Sequence, residues 1–258
     1  MALIRIGQQT YQVEALLFDK DGTLLNLNAL WCRWLDALVA RLNLEPISSL
    51  PLSPVAFDLA LGVSNTEQGR TIDPTGPLAI GSMDDVLTIL AQVLYQQAGL
   101  GWNDALRCVH QARWMAEAEL NWAEWIQPLA GVQSWIAAAQ AAGLRLGVVT
   151  SDDQASALAH LKVLQLDQAM SVVIGHDQVE QGKPFPQMVE RACQQLGVLP
   201  EQTLLFGDSN GDMQMAQAAG LLAGIGIAPE KQRSHLTAAQ QIIADYTDCD
   251  ILDSFSSS

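Results

Sequence analysis

Residues 15–23, ALLFDKDGT, place four apolar residues ahead of two aspartates, a glycine and a threonine. Four apolar residues stopped by a turn former read as a short buried strand, with Gly22 making the turn. Such a strand carries Asp19 and Asp21 at its C-terminal end. The same rhythm returns after Pro128, where LRLGVVT (144–150), SVVIG (171–175), TLLFGD (203–208) and LLAGIGIA (221–228) read as further strands. Helices are expected between them: Ser134 to Ala142, one starting at Asp152 or Asp153, Pro186 to Leu196, and Asp212 to Ala219. Strands alternating with helices predict a three-layer α/β/α, Rossmann-like core around a mostly parallel sheet.

Between the first strand and the later ones the texture changes. Leu30, Trp34, Leu38 and Leu42 share one helical face, and helices are expected near 84–97 and 103–124. The stretch 61–82 is rich in Gly, Pro, Thr and Asn and reads as loop. The chain therefore divides into a discontinuous core, 1–26 with 128–258, and an inserted helical domain, 27–127. The first fourteen residues alternate apolar and polar side chains, as a strand or hairpin does. The terminal SFSSS reads as a frayed tail. Six of the seven tryptophans lie in the insert. The i, i+3 spacing of Trp31/Trp34 and Trp122/Trp125 favours packing between its helices.

Composition narrows the function classes. Hydrophobic residues make up 49% of the 258, enough for a packed core. No apolar run is long enough to span a bilayer, and the N-terminus lacks a signal peptide's apolar stretch. Cys32, Cys108, Cys193 and Cys249 are scattered without metal-ligand spacing, which predicts reduced thiols in a cytoplasmic protein. The formal charge of −15 repels nucleic acid and anionic membranes. A small metabolite is the expected partner, for a chain acting as monomer or homodimer. With only four lysines in the chain, one inside a phosphate site carries weight.

The polar residues at the strand ends suit phosphoryl transfer. Of Asp19 and Asp21, one carboxylate attacks phosphorus while the other holds a proton for the leaving oxygen. A cation is needed to offset repulsion between carboxylate and phosphate. Mg²⁺ favours such oxygen ligands, and Asp208 can supply another. Thr150 and Lys183 add a hydroxyl donor and a fixed positive charge, with Ser151 beside them. Asp152 adds negative charge and is expected to cap the helix that follows.

DKDGTLL, VVTSDD, GKPFPQ and GDSNGDMQMAQAAG resemble the four ordered motifs of the haloacid dehalogenase-like (HAD) hydrolase superfamily. The helical insert resembles the α-helical cap of its phosphoglycolate phosphatase-like members. The resemblance implies Asp19 as nucleophile and Asp21 as acid, then base. It implies Thr150, Ser151 and Lys183 as phosphate binders, and Asp19, Asp208 and the Asp21 carbonyl as Mg²⁺ ligands. Asp212 would orient metal-bound water or Lys183. The implied activity is hydrolysis of a small phosphate monoester through an aspartyl-phosphate, with phosphoglycolate the first candidate. Asp21 argues against dehalogenation, and a lysine-free insert argues against phosphonate hydrolysis. A sugar phosphomutase and a non-catalytic phosphometabolite-binding protein stand as alternatives. Arg70, in the loop-like part of the insert, is a candidate for a second anionic group on the substrate.

Overall fold

The computed structural model describes residues 1–44, 52–67 and 69–252. It divides into two compact units, Met1–Asn26 with Gln127–Ser258, and Leu27–Ile126. Three strands open the chain: β1 (Ala2–Ile6), β2 (Gln9–Val13) and β3 (Ala15–Phe18). The first two form a hairpin turned at Gly7 and Gln8. All four residues of β3 are buried, as a central strand covered on both faces requires.

The unit Leu27–Ile126 is mostly helical: α1 (Leu27–Leu44), α2 (Pro54–Leu61), α3 (Pro77–Ile80), α4 (Met83–Ala98), α5 (Trp102–Glu119) and α6 (Trp122–Trp125). Helix α4 is stopped at its N-terminus by a capping box: Ser82 Oγ accepts from Asp85 N, and the Asp85 carboxylate accepts from Ser82 N. The stretch expected to be loop holds a small antiparallel pair, β4 (Val63–Thr66) and β5 (Gly69–Ile72), as well as α3. Gly62, in the left-handed conformation, ends α2 ahead of that pair. Tryptophan packing holds at Trp31 and Trp34, both buried with their rings edge to face. Trp114 instead stands 73% exposed. Helix α5 buries Ala105, Val109, Ala112 and Ala116, and Trp114 projects from its opposite side.

The remaining elements complete the first unit: α7 (Val132–Ala141), β6 (Arg145–Val149), α8 (Gln154–Val163), β7 (Val172–Ile174), α9 (Gln187–Leu196), β8 (Thr203–Gly207), α10 (Asn210–Ala218), β9 (Ala223–Ile227), β10 (Gln241–Ile243) and β11 (Cys249–Leu252). Six strands form a parallel sheet in the order β10-β9-β8-β3-β6-β7. Strand β11 joins the opening hairpin in a separate three-stranded antiparallel sheet. The terminal SFSSS, with residue 253 before it, lies outside the described part of the chain.

Side-chain alternation along the central strands builds the layers. Leu17 and Leu205 pack with Met188, Val189 and Ala192 of α9 and Met215 of α10. Their neighbours Phe18 and Phe206 stack on each other, 5.1 Å between ring centroids, and meet Trp135 of α7 and Tyr246. Each such aromatic pair adds about 0.5–1.5 kcal/mol beyond its buried area. The strand ends that bear Asp19 and Asp208 thus rest on a rigid platform.

The chain leaves this unit after Asn26 and rejoins it at Gln127. Asn26 N donates to the Gln127 carbonyl at 2.8 Å, and Leu25 bridges to Pro128.

Candidate active site

Strand β3 ends where Asp19 N donates to the Phe206 carbonyl, so Asp19 continues the pairing with β8 for one residue. Gly22 follows with φ +78°, a left-handed turn that side-chain-bearing residues resist. Its lack of a side chain also makes room for a carboxylate. A Cβ built on Gly22 would stand 2.5 Å from Asp208 Cγ and closer still to Oδ2. Thr23 lies behind the turn with its hydroxyl 3.5 Å from Asp208 Oδ1.

Asp208 leaves β8, and its backbone carbonyl accepts from His235 Nε2 at 2.8 Å. Asp212 begins α10 as the partner of a capping box. Its Oδ2 accepts from Ser209 Oγ (2.6 Å) and Ser209 N (3.1 Å), while Ser209 Oγ accepts from Asp212 N. That leaves Oδ1, 2.7 Å from Lys183 Nζ. Lys183 also donates to Asp19 Oδ1 at 2.5 Å, so one ammonium bridges two buried carboxylates. Carboxylate oxygens of Asp19, Asp208 and Asp212 lie within 4.8 Å of one another.

The electrostatics follow from crowding negative charge in low dielectric. Burial raises the Asp19 carboxyl to about 6, and Asp212 and Asp21 add to the rise against the pull of Lys183. Burial, then the charges of Asp19 and Asp212, push Asp208 well above the usual carboxylate range. Lys183 moves the other way: burial disfavours its charge, but Asp19 and Asp212 more than offset that and raise it. Five carboxylates (Asp19, Asp21, Asp152, Asp208, Asp212) face two ammonium groups, Lys20 and Lys183. A divalent cation fits such a donor set, being oxygen-only, acidic and clustered. The set found within 4.8 Å holds Asp212 rather than Asp21. Asp212 has both oxygens engaged, however, and the contribution expected of Asp21 is its backbone carbonyl.

Thr150 is buried at the end of β6, where its Oγ1 accepts from Asp152 N at 3.2 Å. Ser151 is half-buried next to it. The Asp21 carboxylate turns to Lys20, with Oδ2 2.5 Å from Nζ. Two expectations need correction. Asp152 does not cap α8; Asp153 occupies the cap position, and buried Asp152 pairs with Lys20 instead. A buried ammonium attracts a carboxylate more strongly than peptide N–H groups do. Arg70 is held inside its own unit by Asp36, Asp58 and the Cys32 carbonyl, so it is not poised as a spare cation.

Two contributors gave no usable signal in the sequence. His235 lies 27 residues beyond the Asp208 carbonyl it holds, and a lone histidine carries no motif. Tyr246 is buried against Phe18 and Phe206, and its hydroxyl has no hydrogen-bond partner among the described residues.

The sequence pattern of haloacid dehalogenase-like hydrolases matches residues 13–220, which include every residue just placed except His235 and Tyr246. The chain belongs to the haloacid dehalogenase-like hydrolase family. Among individual relatives, the phosphoglycolate phosphatase of Salmonella choleraesuis (strain SC-B67) is 40% identical over 89 residues, 34% of this chain and 35% of that protein. The match thus spans about a third of the relative's length. Two solved structures share the HAD fold at lower identity. One, from Haemophilus somnus 129PT and described as a predicted phosphoglycolate phosphatase, superposes with TM-score 0.67 at 22% identity, over 92% of this chain and 96% of that one. The β-phosphoglucomutase of Clostridium difficile gives TM-score 0.58 at 15% identity, over 90% and 91%. These likenesses speak to the fold. Among the described residues, no helix is long and apolar enough to cross a membrane.

Proposed function

We propose that this HAD-family chain is a Mg²⁺-dependent phosphatase that hydrolyses a small organic phosphate monoester through an aspartyl-phosphate on Asp19. The observation that carries the reading is the cluster of Asp19, Asp208 and Asp212 with Lys183 2.5 Å from Asp19. A bare carboxylate group of this kind repels a phosphate dianion. Asp19, Asp208 and the Asp21 carbonyl would hold Mg²⁺, which would supply the charge neutralisation that a phosphate dianion needs beside a carboxylate nucleophile.

The chain's own residues then divide the work. Asp19 forms the bond to phosphorus in line with the departing oxygen. Asp21 gives its proton to that oxygen as the ester bond breaks, and in the second step takes a proton from the attacking water. Lys183 holds one Asp19 oxygen and a phosphoryl oxygen, with Asp212 fixing its ammonium. Thr150 donates its hydroxyl proton to another phosphoryl oxygen, with Ser151 next to it. The partner is a small phosphorylated metabolite, in keeping with a net charge of −15 that disfavours polyanions. Phosphoglycolate heads the list to assay, on the likeness of one third of the chain to phosphoglycolate phosphatases.

The test is phosphate release from p-nitrophenyl phosphate and a panel of small esters, with Mg²⁺ and with EDTA. Release that requires Mg²⁺ and vanishes in Asp19→Asn is the expected result. Folded, Mg²⁺-loaded protein that releases nothing overturns the reading, and transfer of phosphate between sugar positions would replace it with a mutase.

A further inference from the structure

Lys20 stands between the two aspartates, and its side chain is wholly buried. A buried lysine is costly unless its charge and its three N–H bonds are met. Here three groups converge on Nζ: the Asp21 carboxylate with Oδ2 at 2.5 Å, His160 Nδ1 at 3.0 Å, and the Asp152 carboxylate as an ion pair with Oδ2 at 3.2 Å. The ammonium is a tripod whose feet rest on the first strand end, the loop after β6, and α8.

Two of those feet are themselves fixed. Asp152 Oδ1 accepts from Asp153 N at 2.8 Å, and Asp152 N donates to Thr150 Oγ1. His160 is buried on α8. To accept from an ammonium, its Nδ1 must be unprotonated, with the ring proton on Nε2. Burial and the neighbouring Lys20 charge hold the imidazole neutral, lowered to about 3. The third foot, Asp21, is the group from which the reaction asks a proton.

We infer that Lys20, anchored by Asp152 and His160, is a positioning residue that sets the rotation of the Asp21 carboxyl for proton transfer to the leaving oxygen. The inference rests on the phosphatase reading above. As the bond from phosphorus to the leaving oxygen breaks and the Asp19–phosphorus bond forms, the Asp21 proton moves to that oxygen. Asp21 is left as a carboxylate, and the Lys20 ammonium faces the charge that appears. His160 touches no reacting atom. Its part is to supply an acceptor that keeps the ammonium aimed.

The experiment compares kcat/KM, which reports the first phosphoryl transfer, for two substrates of opposite demand. The phenolate of p-nitrophenyl phosphate leaves with little help, whereas the alkoxide of glycerol 2-phosphate needs the proton. Three full-length variants are assayed with Mg²⁺: Lys20→Met, His160→Leu, and His160→Asn, whose amide oxygen can stand in for Nδ1. Well-positioned acid catalysis is worth about 10²–10⁴-fold. Lys20→Met and His160→Leu should therefore lose at least about tenfold more on the alkyl ester than on the aryl ester, with His160→Asn recovering most of that loss. If Lys20→Met fails to fold, the His160 pair decides alone. Equal losses on both esters in folded protein, or His160→Asn no better than His160→Leu, overturn the inference. A wild-type protein inactive on every ester is a different failure, that of the phosphatase reading, and takes this inference with it.

Discussion

Substituting Gly22 with alanine tests the geometry of the site at a point where backbone and carboxylate compete for the same space. Two costs are separable. The first is conformational: φ +78° costs a residue bearing a Cβ about 1–2 kcal/mol. For a chain of this length that lowers Tm by roughly 2–8 °C. The second is steric: the new Cβ would meet Asp208 Cγ at 2.5 Å, whereas ordinary contact begins at 3.4 Å, so the carboxylate must retreat by about 1 Å. A 1 Å misplacement of a reacting assembly costs on the order of 10²-fold in rate. Gly220→Ala is the control, since Gly220 has φ +71° with nothing within 4 Å of its would-be Cβ. The two variants should lose similar stability by thermal melting. Only Gly22→Ala should lose about 10²-fold in kcat/KM on p-nitrophenyl phosphate and need more Mg²⁺ for half-saturation. Activity within about threefold of wild type, in a Gly22→Ala protein destabilised like Gly220→Ala, refutes the argument that Asp208 is held where the reaction needs it.

Two further outcomes follow from the buried polar groups. Asp212→Ala removes a fully buried carboxylate that pairs with Lys183 and completes the cap of α10. Breaking a buried pair and a cap together should cost about 3 kcal/mol or more in urea unfolding, and a loss below about 1 kcal/mol would show the pair to be inert. His160 sets a pH dependence. Its imidazole is lowered to about 3 in the folded protein, beside Lys20, Asp152 and Asp21, and titrates near 6.5 when unfolded. The unfolded chain therefore binds the extra proton first, and this contribution to stability is lost as pH falls below about 6.5. Between pH 7 and pH 5 wild type should lose about 2 kcal/mol relative to His160→Asn. Parallel stability curves for the two proteins over that range would show that His160 is not held neutral.

How much of this was legible in the sequence depended on how local each signal is. Strands β3, β6, β7, β8 and β9 announced themselves as apolar runs, because a parallel strand buried on both faces has no polar side to dilute it. Most helix ends moved by a residue or two, but the helix expected over 103–124 stops at Glu119, with the short α6 separate from it. The helix expected from Ser134 begins at Val132, and the one expected from Asp212 begins at Asn210, capped by Ser209. The β4–β5 pair hid in a stretch of turn formers, since strands of only four residues are too short to show a strand pattern against that composition. Strand β11 carries Asp250 among apolar residues and completes a sheet begun at the other end of the chain, a pairing that local pattern does not encode. The same limit applies within the site. Asp19, Lys183, Asp208 and Asp212 stood out as motif residues at strand ends, and the fold brings them together. The link from Lys20 to His160 spans 140 residues and joins two side chains that sequence reading treats as incidental. Asp152 shows the converse error, where a good local role at a helix start lost to a stronger tertiary one.

The hydrogen bond between Asn26 and Gln127 has a bearing on how such a chain can be remodelled. Exit and re-entry are neighbours, so the hundred-residue excursion between them is, for the parent sheet, a closed loop with both ends already pinned. Closure entropy grows only with the logarithm of loop length. Replacing that excursion by a ten-residue turn would change the closure term by about 2 kcal/mol, and in the favourable direction. The sheet is thus a socket that tolerates excursions of very different size at one junction. A lineage, or an engineer, can exchange the whole segment without disturbing the register that sets Asp19 beside Asp208.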